Sequence, residues 1–334
     1  MTTISPIRWG ILGTGTIAKL FAKGLAADPG SRLVAVGSRT QESATKFAGE
    51  FPCTAHGSYA ALCADSQVDV IYIASPHTSH REHALLAIRH HKAALVEKPF
   101  CVNLHESIEV IQAARAAGVF CMEAMWTRCL PSIRQVVAWL DENAIGEVRL
   151  LAADFGFRCG WDPKSRLLDP QFAGGALLDV GVYTVAMAWL AMRSAPTTVK
   201  ATAVLGATGV DESMAVTLGW ANGALANLTC AVRLNTKHDT IIYGTEGRIE
   251  LPDFWHGTKA ILHRDGKPSL SLDLPFLGNG YTHEAMEVGR CLRAGLKESP
   301  LITHDETLAI MRCLDECRQQ VGLSYPVERI AAKA

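Results

Sequence analysis

The chain has 334 residues, of which 32 are basic and 33 acidic, and its formal net charge is -1. So balanced a chain creates no overall basic field to attract a phosphate backbone or an anionic bilayer, which argues against nucleic acid and membrane as partners. Apolar residues make up 49% and charged residues 19% of the sequence. This composition excludes disordered and collagen-like proteins and predicts a globular protein, for which the length indicates about two domains.

Targeting and metal-binding signals are weak. The apolar stretch from Val180 to Met192 is shorter than the roughly 20 residues of a membrane span, and the N-terminal segment lacks the charged-then-apolar order of a secretory signal. We therefore expect a cytoplasmic protein whose ten scattered cysteines are mostly reduced core thiols. His77, His80 and His83 could chelate a metal, but no cysteine or acidic cluster completes a site, so no metal is predicted.

In the first part of the chain, short apolar runs alternate with segments of helical periodicity, as in βαβ units. The predicted strands are Ile7–Leu12, Leu33–Ser38, Val70–Ala74, Ala94–Glu97 and Phe120–Glu123. The predicted helices are Ile17–Ala27, Gln41–Glu50, Tyr59–Ala64, His80–Arg89 and Leu104–Ala117. The alternation predicts an α/β protein that begins with a doubly wound parallel (Rossmann) sheet in a dinucleotide-binding domain of residues 1–125.

In the second part, strands follow one another through tight turns such as Ala221-Asn222-Gly223. The predicted strands are Val148–Phe157, Thr198–Leu205, Ser213–Leu218, Ala224–Ala231, Thr240–Tyr243, Arg248–Leu251 and Lys259–His263. Helices are predicted around Gly175–Met192, His283–Ala294 and Asp305–Gln320. We expect an α+β substrate-binding and dimerisation domain, residues 126–334, built on an open, mostly antiparallel sheet with helices on one face. An open apolar face favours a partner.

A glycine-rich turn follows the first predicted strand. It fits the dinucleotide fingerprint G-x-G-x-x-G/A and reads Gly13-Thr14-Gly15-Thr16-Ile17-Ala18. Gly13 permits the tight turn, Gly15 lets the backbone approach a pyrophosphate, and the small Ala18 permits close helix–strand packing. Free amides at the helix start would hold the phosphates. Glycines in a sharp turn need not bind anything, but the position after the first strand favours a dinucleotide.

The residues after the second strand indicate which dinucleotide binds. An acidic side chain there would pair with the ribose 2′-hydroxyl of NAD, but the strand ends with Ser38 and Arg39. A hydroxyl and a planar cationic group suit a 2′-phosphate, so NADP is predicted over NAD. The alternative is that Arg39 is a solvated loop charge.

Three further residue types carry possible chemistry. Lys98 emerges at the carboxyl end of the fourth predicted strand, where ligands of open α/β sheets bind, and the peptide before Pro99 is a candidate cis bond. Asp179 and Tyr183 lie one helical turn apart at the start of a later helix. The alternatives are a lysine paired with an acid, an aspartate near a helix cap and a core tyrosine.

These features together resemble the glucose-fructose oxidoreductase, inositol dehydrogenase and rhizopine-catabolism (Gfo/Idh/MocA) family. The matching segments span most of the chain and are Gly13–Ala18, the turn Ser75–His80, Glu97-Lys98-Pro99 and the helix start at Gly174. Most members have a histidine where this chain has Tyr183. That departure, with Met122–Arg128 and Gly174–Tyr183, is most similar to the dimeric dihydrodiol dehydrogenases and NADP-dependent D-xylose dehydrogenases of the family.

The resemblance implies hydride transfer between a secondary alcohol and the nicotinamide of NADP, with Tyr183 as general acid/base and Lys98 beside it. An adjacent ammonium would lower the pKa of the tyrosine, which is near 10 when unperturbed, and make it usable as a base. Asp179 would accept a substrate hydroxyl or orient Lys98, and both roles stay open. Other cofactor contacts implied by the resemblance or by the matching turn are Ser75, Pro76, His77, His80 and Glu97.

The substrate is expected between the domains, near the aromatic residues closest to the matching motifs. Trp126, Phe155 and Trp255 suit a cyclic diol or the C–H face of a sugar, although such rings are often ordinary core. Arg128 and Arg158 would bind an anionic group unless they form salt bridges.

The predicted function is NADP-dependent oxidation of a vicinal diol, in a trans-dihydrodiol or an aldopyranose such as D-xylose. The alternatives are an NADPH-dependent reductase of a dicarbonyl or anhydro-ketose sugar and, more remotely, a non-catalytic NADP-binding sensor. The open sheet face and the resemblance both predict a homodimer through the second-domain sheet.

Overall fold

The structure is a computed structural model and describes residues 5–331. The chain forms two compact units. Unit 1 contains the chain up to Cys101, His105–Cys129 and Phe276–Thr307, and unit 2 contains Val102–Leu104, Leu130–Pro275 and the chain from Leu308. The two units are described separately below.

Unit 1 is built on a parallel sheet of six strands in the order β3-β2-β1-β4-β5-β6. Its strands are β1 (Ile7–Leu12), β2 (Ser31–Gly37), β3 (Thr54–His56), β4 (Val70–Ile73), β5 (Ala93–Glu97) and β6 (Cys121–Ala124). The intervening helices are α1 (Thr16–Leu25), α2 (Gln41–Glu50), α3 (Tyr59–Ala64), α4 (His80–Arg89) and α5 (Leu104–Ala117). The predicted doubly wound sheet is confirmed, and β3 is the strand that the sequence analysis missed, since its three residues are too few to show a periodic pattern.

Unit 2 is built on an eight-stranded sheet that is antiparallel except for one parallel pair, β7 with β10. It begins with helix α6 (Pro131–Asp141), strand β7 (Val148–Gly156), a π-helical turn (Leu177–Gly181) and helix α7 (Val182–Met192). The later strands are β8 (Thr198–Leu205), β9 (Asp211–Gly219), β10 (Leu225–Ala231), β11 (Thr240–Gly244), β12 (Gly247–Leu251), β13 (Lys259–Arg264) and β14 (Leu270–Asp273). The mostly antiparallel sheet is therefore confirmed.

Three elements of unit 2 were absent from the sequence analysis: helix α6, strand β14 and the short helix Pro326–Ala331. Helix α6 starts with Pro131 at its first position, where proline is tolerated because that N–H has no partner inside the helix. A proline that looks like a helix breaker in the sequence therefore begins a helix. Strand β14 is a short, largely exposed edge strand that pairs only with β13 among the described residues.

The sheet of unit 2 is buried on one face. Along β10 the side chains alternate, so that Ala226, Leu228 and Cys230 are buried whereas Leu225 is 46% exposed. Helix α7 packs against β7 and β10 and is almost wholly buried. On the exposed side of the sheet, Val204 is 61% exposed. The face is therefore open, but it also carries exposed polar side chains such as Lys200, Thr217 and Asn227, so it is apolar only in part.

Three helices complete the described chain: α8 (Tyr281–Arg293), α9 (His304–Gln320) and α10 (Pro326–Ala331). The sequence analysis assigned Phe276–Thr307 to the second domain, whereas the structure groups this segment with unit 1. Helix α8 packs against α1, and the Thr282 hydroxyl donates to the Gly24 carbonyl at 2.8 Å. The cofactor- and substrate-binding roles of residues 1–125 and 126–334 stay predictions.

The segment Pro170–Met192 is long and apolar enough to cross a membrane by length and composition alone, with a mean hydropathy of 1.5. The sequence analysis judged only its last 13 residues, from Val180, which are too few for a span. Of the apolar window, 89% is buried inside the protein. Core helices of soluble proteins share these properties, so the segment is weak evidence for a membrane helix.

Candidate active site

The turn after β1 has the geometry of a phosphate-binding loop. Gly13 adopts a φ of +113°, and a Cβ there would lie 2.9 Å from the Ala74 carbonyl oxygen. At Gly15, which precedes α1, a Cβ would meet no atom within 4 Å. Ala18 is fully buried against the sheet. The loop is therefore closed on the side of the sheet and open on the other, which leaves room for a pyrophosphate above the amides of α1.

The other residues of this loop lie where a cofactor could reach them. Thr14 and Ile17 are half-buried and Thr16 is exposed at the first position of α1. Among the described residues, no side chain caps the N-terminus of α1. Free amides and an absent side-chain cap fit a negatively charged group at this helix start.

The end of β2 carries Ser38, which is 7% exposed, and the exposed Arg39. The Thr40 hydroxyl then accepts the Ser43 amide and caps α2. Burial raises the pKa of the Tyr59 phenol, and the positive charge of Arg39 opposes that rise. Arg39 therefore lies near Tyr59 just past the carboxyl end of β2, and its contact with a 2′-phosphate stays a prediction.

The turn after β4 is held by its histidines. The ring nitrogens of the fully buried His80 lie 2.9 Å from the carbonyl oxygens of Ser75 and Pro99. Burial lowers the pKa of His80 to about 4, although hydrogen bonds to the two carbonyl oxygens oppose this shift. Nδ1 of His83 lies 2.9 Å from the Ser75 hydroxyl. His80 therefore joins the ends of β4 and β5, which favours a positioning role over the predicted direct contact with the cofactor.

Two other residues of that turn are more accessible. Pro76 is exposed and His77 is half-buried in the single 3-10 turn that precedes α4. Both remain predicted cofactor contacts. Their position after β4, next to the glycine loop in strand order, is consistent with that prediction.

The end of β5 holds the predicted Glu97-Lys98-Pro99 motif. The Glu97 carboxylate is 6% exposed and accepts hydrogen bonds from the Tyr72 hydroxyl and, at 3.2 Å, from the Lys98 amide. The Lys98–Pro99 peptide is cis. Lys98 itself is half-buried. The motif therefore fixes the lysine's backbone at the carboxyl edge of the sheet.

In unit 2, Asp179 lies in the π-helical turn and Tyr183 in the first turn of α7. Asp179 is 4% and Tyr183 5% exposed. Arg166, whose side chain is 60% exposed, donates to Asp179 Oδ1 at 2.8 Å. A buried carboxylate held by an arginine at this point supports the predicted functional helix start, and π-turns occur often at functional sites. The sequence analysis missed Arg166, which no motif marks.

The start of this helix depends on a second aspartate that the sequence did not mark. Asp211 Oδ2 accepts the Leu177 amide at 2.6 Å. Burial raises the pKa of Asp211 to about 7. Gly175 has a φ of +118°, and a Cβ there would overlap Asp211 Oδ1. Gly175 is thus needed for the carboxyl group to approach the backbone.

The predicted aromatic residues fall into two groups. In unit 2 the ring of Phe155 stacks on Trp255 with centroids 5.0 Å apart and meets Tyr183 edge-on at 5.3 Å. In unit 1 Trp126 stacks on Tyr281 at 4.5 Å. The structure therefore places Phe155 beside the predicted catalytic tyrosine and Trp255 on the ring of Phe155.

The two predicted arginines differ. Arg128 forms a buried ion pair with Glu306 and donates to the Leu301 carbonyl, which favours the structural alternative that the sequence left open. Arg158 is exposed, and its amide donates to the Asn235 side chain at 2.7 Å.

Within the described chain, no cluster of His, Cys, Asp and Glu side chains has the arrangement of a metal site. All ten cysteines are thiols, most of them buried. The donor groups present are those of a dinucleotide site: glycine-loop amides, a cation after β2 and a lysine after β5.

A doubly wound sheet with an open glycine loop at its carboxyl edge, followed by a lysine, defines a dinucleotide-dependent oxidoreductase. Residues 7–125 match the family model described as "Oxidoreductase family, NAD-binding Rossmann fold", and residues 133–250 match the GFO/IDH/MocA C-terminal domain. The chain belongs to the Gfo/Idh/MocA oxidoreductase family. The predictions of fold, family, oxidoreductase enzyme and dinucleotide cofactor are thereby confirmed.

Similar proteins include trans-1,2-dihydrobenzene-1,2-diol dehydrogenases. The one from Danio rerio is 37% identical over 329 residues, which cover 96% of this chain and 98% of the relative. The one from Mus musculus is 35% identical over 332 residues, covering 97% and 99%. A 3-ketoreductase from Actinomadura kijaniata, solved with TDP-benzene and NADP, has a TM-score of 0.80 at 26% identity and covers 95% of this chain and 98% of its own.

Proposed function

We propose that the chain is an NADP-dependent dehydrogenase of a vicinal diol, in a trans-dihydrodiol or an aldopyranose such as D-xylose. The observation that carries the proposal is the buried helix start of unit 2, where Tyr183 lies against Phe155 and one turn from Asp179. The relatives named as trans-dihydrodiol dehydrogenases, which match nearly the whole chain, support it.

Each residue of this site has a proposed role. NADP supplies the hydride acceptor. Tyr183 holds the proton that the alcohol oxygen loses, and the ammonium of Lys98 favours the phenolate form of the tyrosine. Asp179, oriented by Arg166, accepts a hydrogen bond from a substrate hydroxyl. Phe155 supplies an apolar face for the ring of the substrate.

The preference for NADP rests on Ser38 and Arg39. No acidic residue follows β2, and the exposed guanidinium can bind a 2′-phosphate. Arg39→Asp should reverse the preference between NADP and NAD. An unchanged KM for NADP in that variant would refute the assignment.

The first assay is reduction of NADP⁺ and NAD⁺ over D-xylose, D-glucose, myo-inositol and a trans-cyclohexadiene diol. Turnover of xylose or the diol with NADP⁺ alone supports the proposal. Tyr183→Phe should lower kcat by at least about a hundredfold, the usual size of a general acid/base contribution. Tyr243→Phe, at a half-buried tyrosine of β11, is the matched control. Near-normal turnover of the Tyr183 variant would remove that residue from the mechanism.

The reverse reaction is a second candidate, because the related A. kijaniata protein is a 3-ketoreductase. In that case NADPH would reduce a dicarbonyl or an anhydro-ketose sugar. Oxidation of NADPH with such a ketone, and no reduction of NADP⁺ with the diol panel, would favour this direction. Tight NADPH binding without turnover in either direction would favour a sensor.

We also propose a cytoplasmic homodimer that forms through the exposed face of the unit 2 sheet. Val204 and Leu225 supply exposed apolar surface on that face. Leu225→Lys should give a monomer in light scattering, whereas Leu277→Lys, at an equally exposed leucine of unit 1, should not. A wild-type monomer at micromolar concentration would refute the dimer.

A further inference from the structure

Two buried carboxyl groups lie close together in unit 1 and have unequal surroundings. Glu97, at the end of β5, accepts hydrogen bonds from the Tyr72 hydroxyl and the Lys98 amide. Glu284, in α8, is fully buried, and within residues 5–331 neither of its carboxyl oxygens has a hydrogen-bond partner. Only one of the two carboxyl groups is therefore surrounded by donors.

This inequality decides which group is charged. A carboxylate buried without donors is far less stable than the neutral acid, and two nearby carboxylates repel each other. Burial and the charge of Glu97 raise the pKa of Glu284 well above its usual value. The neighbouring phenols of Tyr72 and Tyr281 are also held neutral, because burial and the same charge raise their pKa. Burial and, to a smaller extent, the charge of Glu97 also raise the pKa of the buried Glu123 to about 7. We therefore assign the negative charge of this group of acids to Glu97, which accepts the Tyr72 hydroxyl and the Lys98 amide.

The order of the strands tells which part of a dinucleotide approaches this charge. The glycine loop for the pyrophosphate follows β1, and Arg39 for the adenosine ribose follows β2. The strands run β2-β1-β4-β5, so the nicotinamide half extends in the opposite direction, over the ends of β4 and β5. Glu97 is the last residue of β5. Glu97 therefore ends the strand over which the nicotinamide half would extend.

We propose that Glu97 is a redox-selective binding residue: its negative charge favours the oxidised cofactor, whose nicotinamide ring is cationic, over the neutral reduced ring, while Glu284 stays protonated beside it. The inference rests on the proposed NADP cofactor. The sequence does not distinguish Glu97 from Glu284, but the inference makes Glu97 negatively charged and Glu284 neutral.

The test measures Kd for NADP⁺ and for NADPH with the full chain, by calorimetry or by quenching of tryptophan fluorescence. The quantity compared is the ratio of Kd(NADP⁺) to Kd(NADPH). Glu97→Gln removes the charge and should raise this ratio about tenfold, the order expected from one partly screened charge pair. Glu284→Gln replaces a neutral acid by a neutral amide of the same shape and should leave the ratio within about twofold of wild type. Glu50→Gln, at a solvent-exposed glutamate paired with Lys19, controls for the change in net charge.

Tyr72→Phe provides a second, milder test. It removes one donor from Glu97 and keeps the ring that stacks on Phe21 at 3.8 Å. The carboxylate is then less well stabilised, so the ratio of Kd(NADP⁺) to Kd(NADPH) should rise about threefold. This is roughly the effect of losing one hydrogen bond to a charged group when a second donor remains.

The outcomes separate this inference from the proposed function. Unchanged ratios in both Glu97→Gln and Tyr72→Phe would overturn it, as would an equal rise in Glu284→Gln. A wild-type chain that binds neither dinucleotide would refute the proposed cofactor, and the inference with it. If Glu97→Gln does not fold, Tyr72→Phe alone tests the inference: a rise in the ratio of Kd(NADP⁺) to Kd(NADPH) supports it, and an unchanged ratio refutes it.

Discussion

The approach of Asp211 to the backbone at Gly175 can be tested by adding one methyl group. Gly175 has a φ of +118°, and a Cβ there would overlap the Asp211 carboxyl group. That carboxyl group accepts the Leu177 amide at 2.6 Å and so fixes the start of the helix that carries Tyr183. Gly175→Ala should therefore destabilise unit 2 and disturb the proposed site together.

The magnitude has two parts. Backbone strain at such a φ costs about 1–3 kcal/mol for a residue with a Cβ. Displacement of the Asp211 carboxyl group from the Leu177 amide costs a further 1–3 kcal/mol or so. The sum is roughly 4 kcal/mol, which corresponds to a fall in Tm of roughly 6 °C for a protein of this size.

Gly223→Ala is the matched control. Gly223 also has a positive φ, +81°, but a Cβ there would meet no atom within 4 Å. Only strain remains, so the loss should be about 1 kcal/mol and the fall in Tm roughly 1.5 °C. Thermal unfolding followed by circular dichroism gives both values. Equal falls in Tm for the two variants would show that the contact with Asp211 does not matter.

The remaining predictions concern the loop, a buried acid and an arginine. Gly15→Ala should weaken dinucleotide binding at least about tenfold in titration calorimetry and leave Tm unchanged. Gly13→Ala should weaken binding and also lower Tm, because only Gly13 has a positive φ and lies against the Ala74 carbonyl oxygen. Asp211 has a folded-state pKa of about 7 against 3.8 when unperturbed, so the folded state holds a proton that the unfolded state loses. The free energy of unfolding of the wild type should thus fall relative to that of Asp211→Asn as pH rises from 4 to 7, by up to roughly 4 kcal/mol. Urea unfolding measures it, and wild-type and variant curves that run parallel over this pH range would contradict the prediction. Arg166→Ala should lower kcat about tenfold, with Arg166→Lys restoring part, and should change Tm little because this side chain is 60% exposed.

Much of unit 1 could be predicted from the sequence because its signals are local. The helix Gln41–Glu50, for example, follows a Thr40 cap and a run with helical periodicity, and the structure begins and ends it at the predicted residues. Strand β3 and helix α6 were missed for local reasons too: the first is too short, and the second begins at a proline. The glycine loop was found because its function depends on backbone conformation, which glycine spacing reveals.

The partners of the site residues were harder to predict, because they come from distant parts of the sequence. Arg166 reaches Asp179 from a loop without regular structure, and Asp211 reaches Leu177 from the start of another strand. Glu284 approaches Glu97 only because α8 packs in unit 1. Each is an ordinary acidic or basic residue in the sequence, and tertiary contacts alone give it a role.

The acidic residues of this protein show why residue type is insufficient to assign a role. Glu97 and Glu284 are both buried, and so are Asp179 and Asp211, so burial opposes charge in all four. Their donors differ: Glu97 has a phenol and an amide and Asp179 has an arginine, whereas Glu284 has no such partner within the described chain. Donors alone do not settle the charge, because Asp211 accepts the Leu177 amide and burial still raises its pKa to about 7. Each acid therefore needs its own test: Glu97→Gln measures the effect of the Glu97 charge in unit 1, and Asp211→Asn measures the effect of the raised pKa of Asp211 in unit 2.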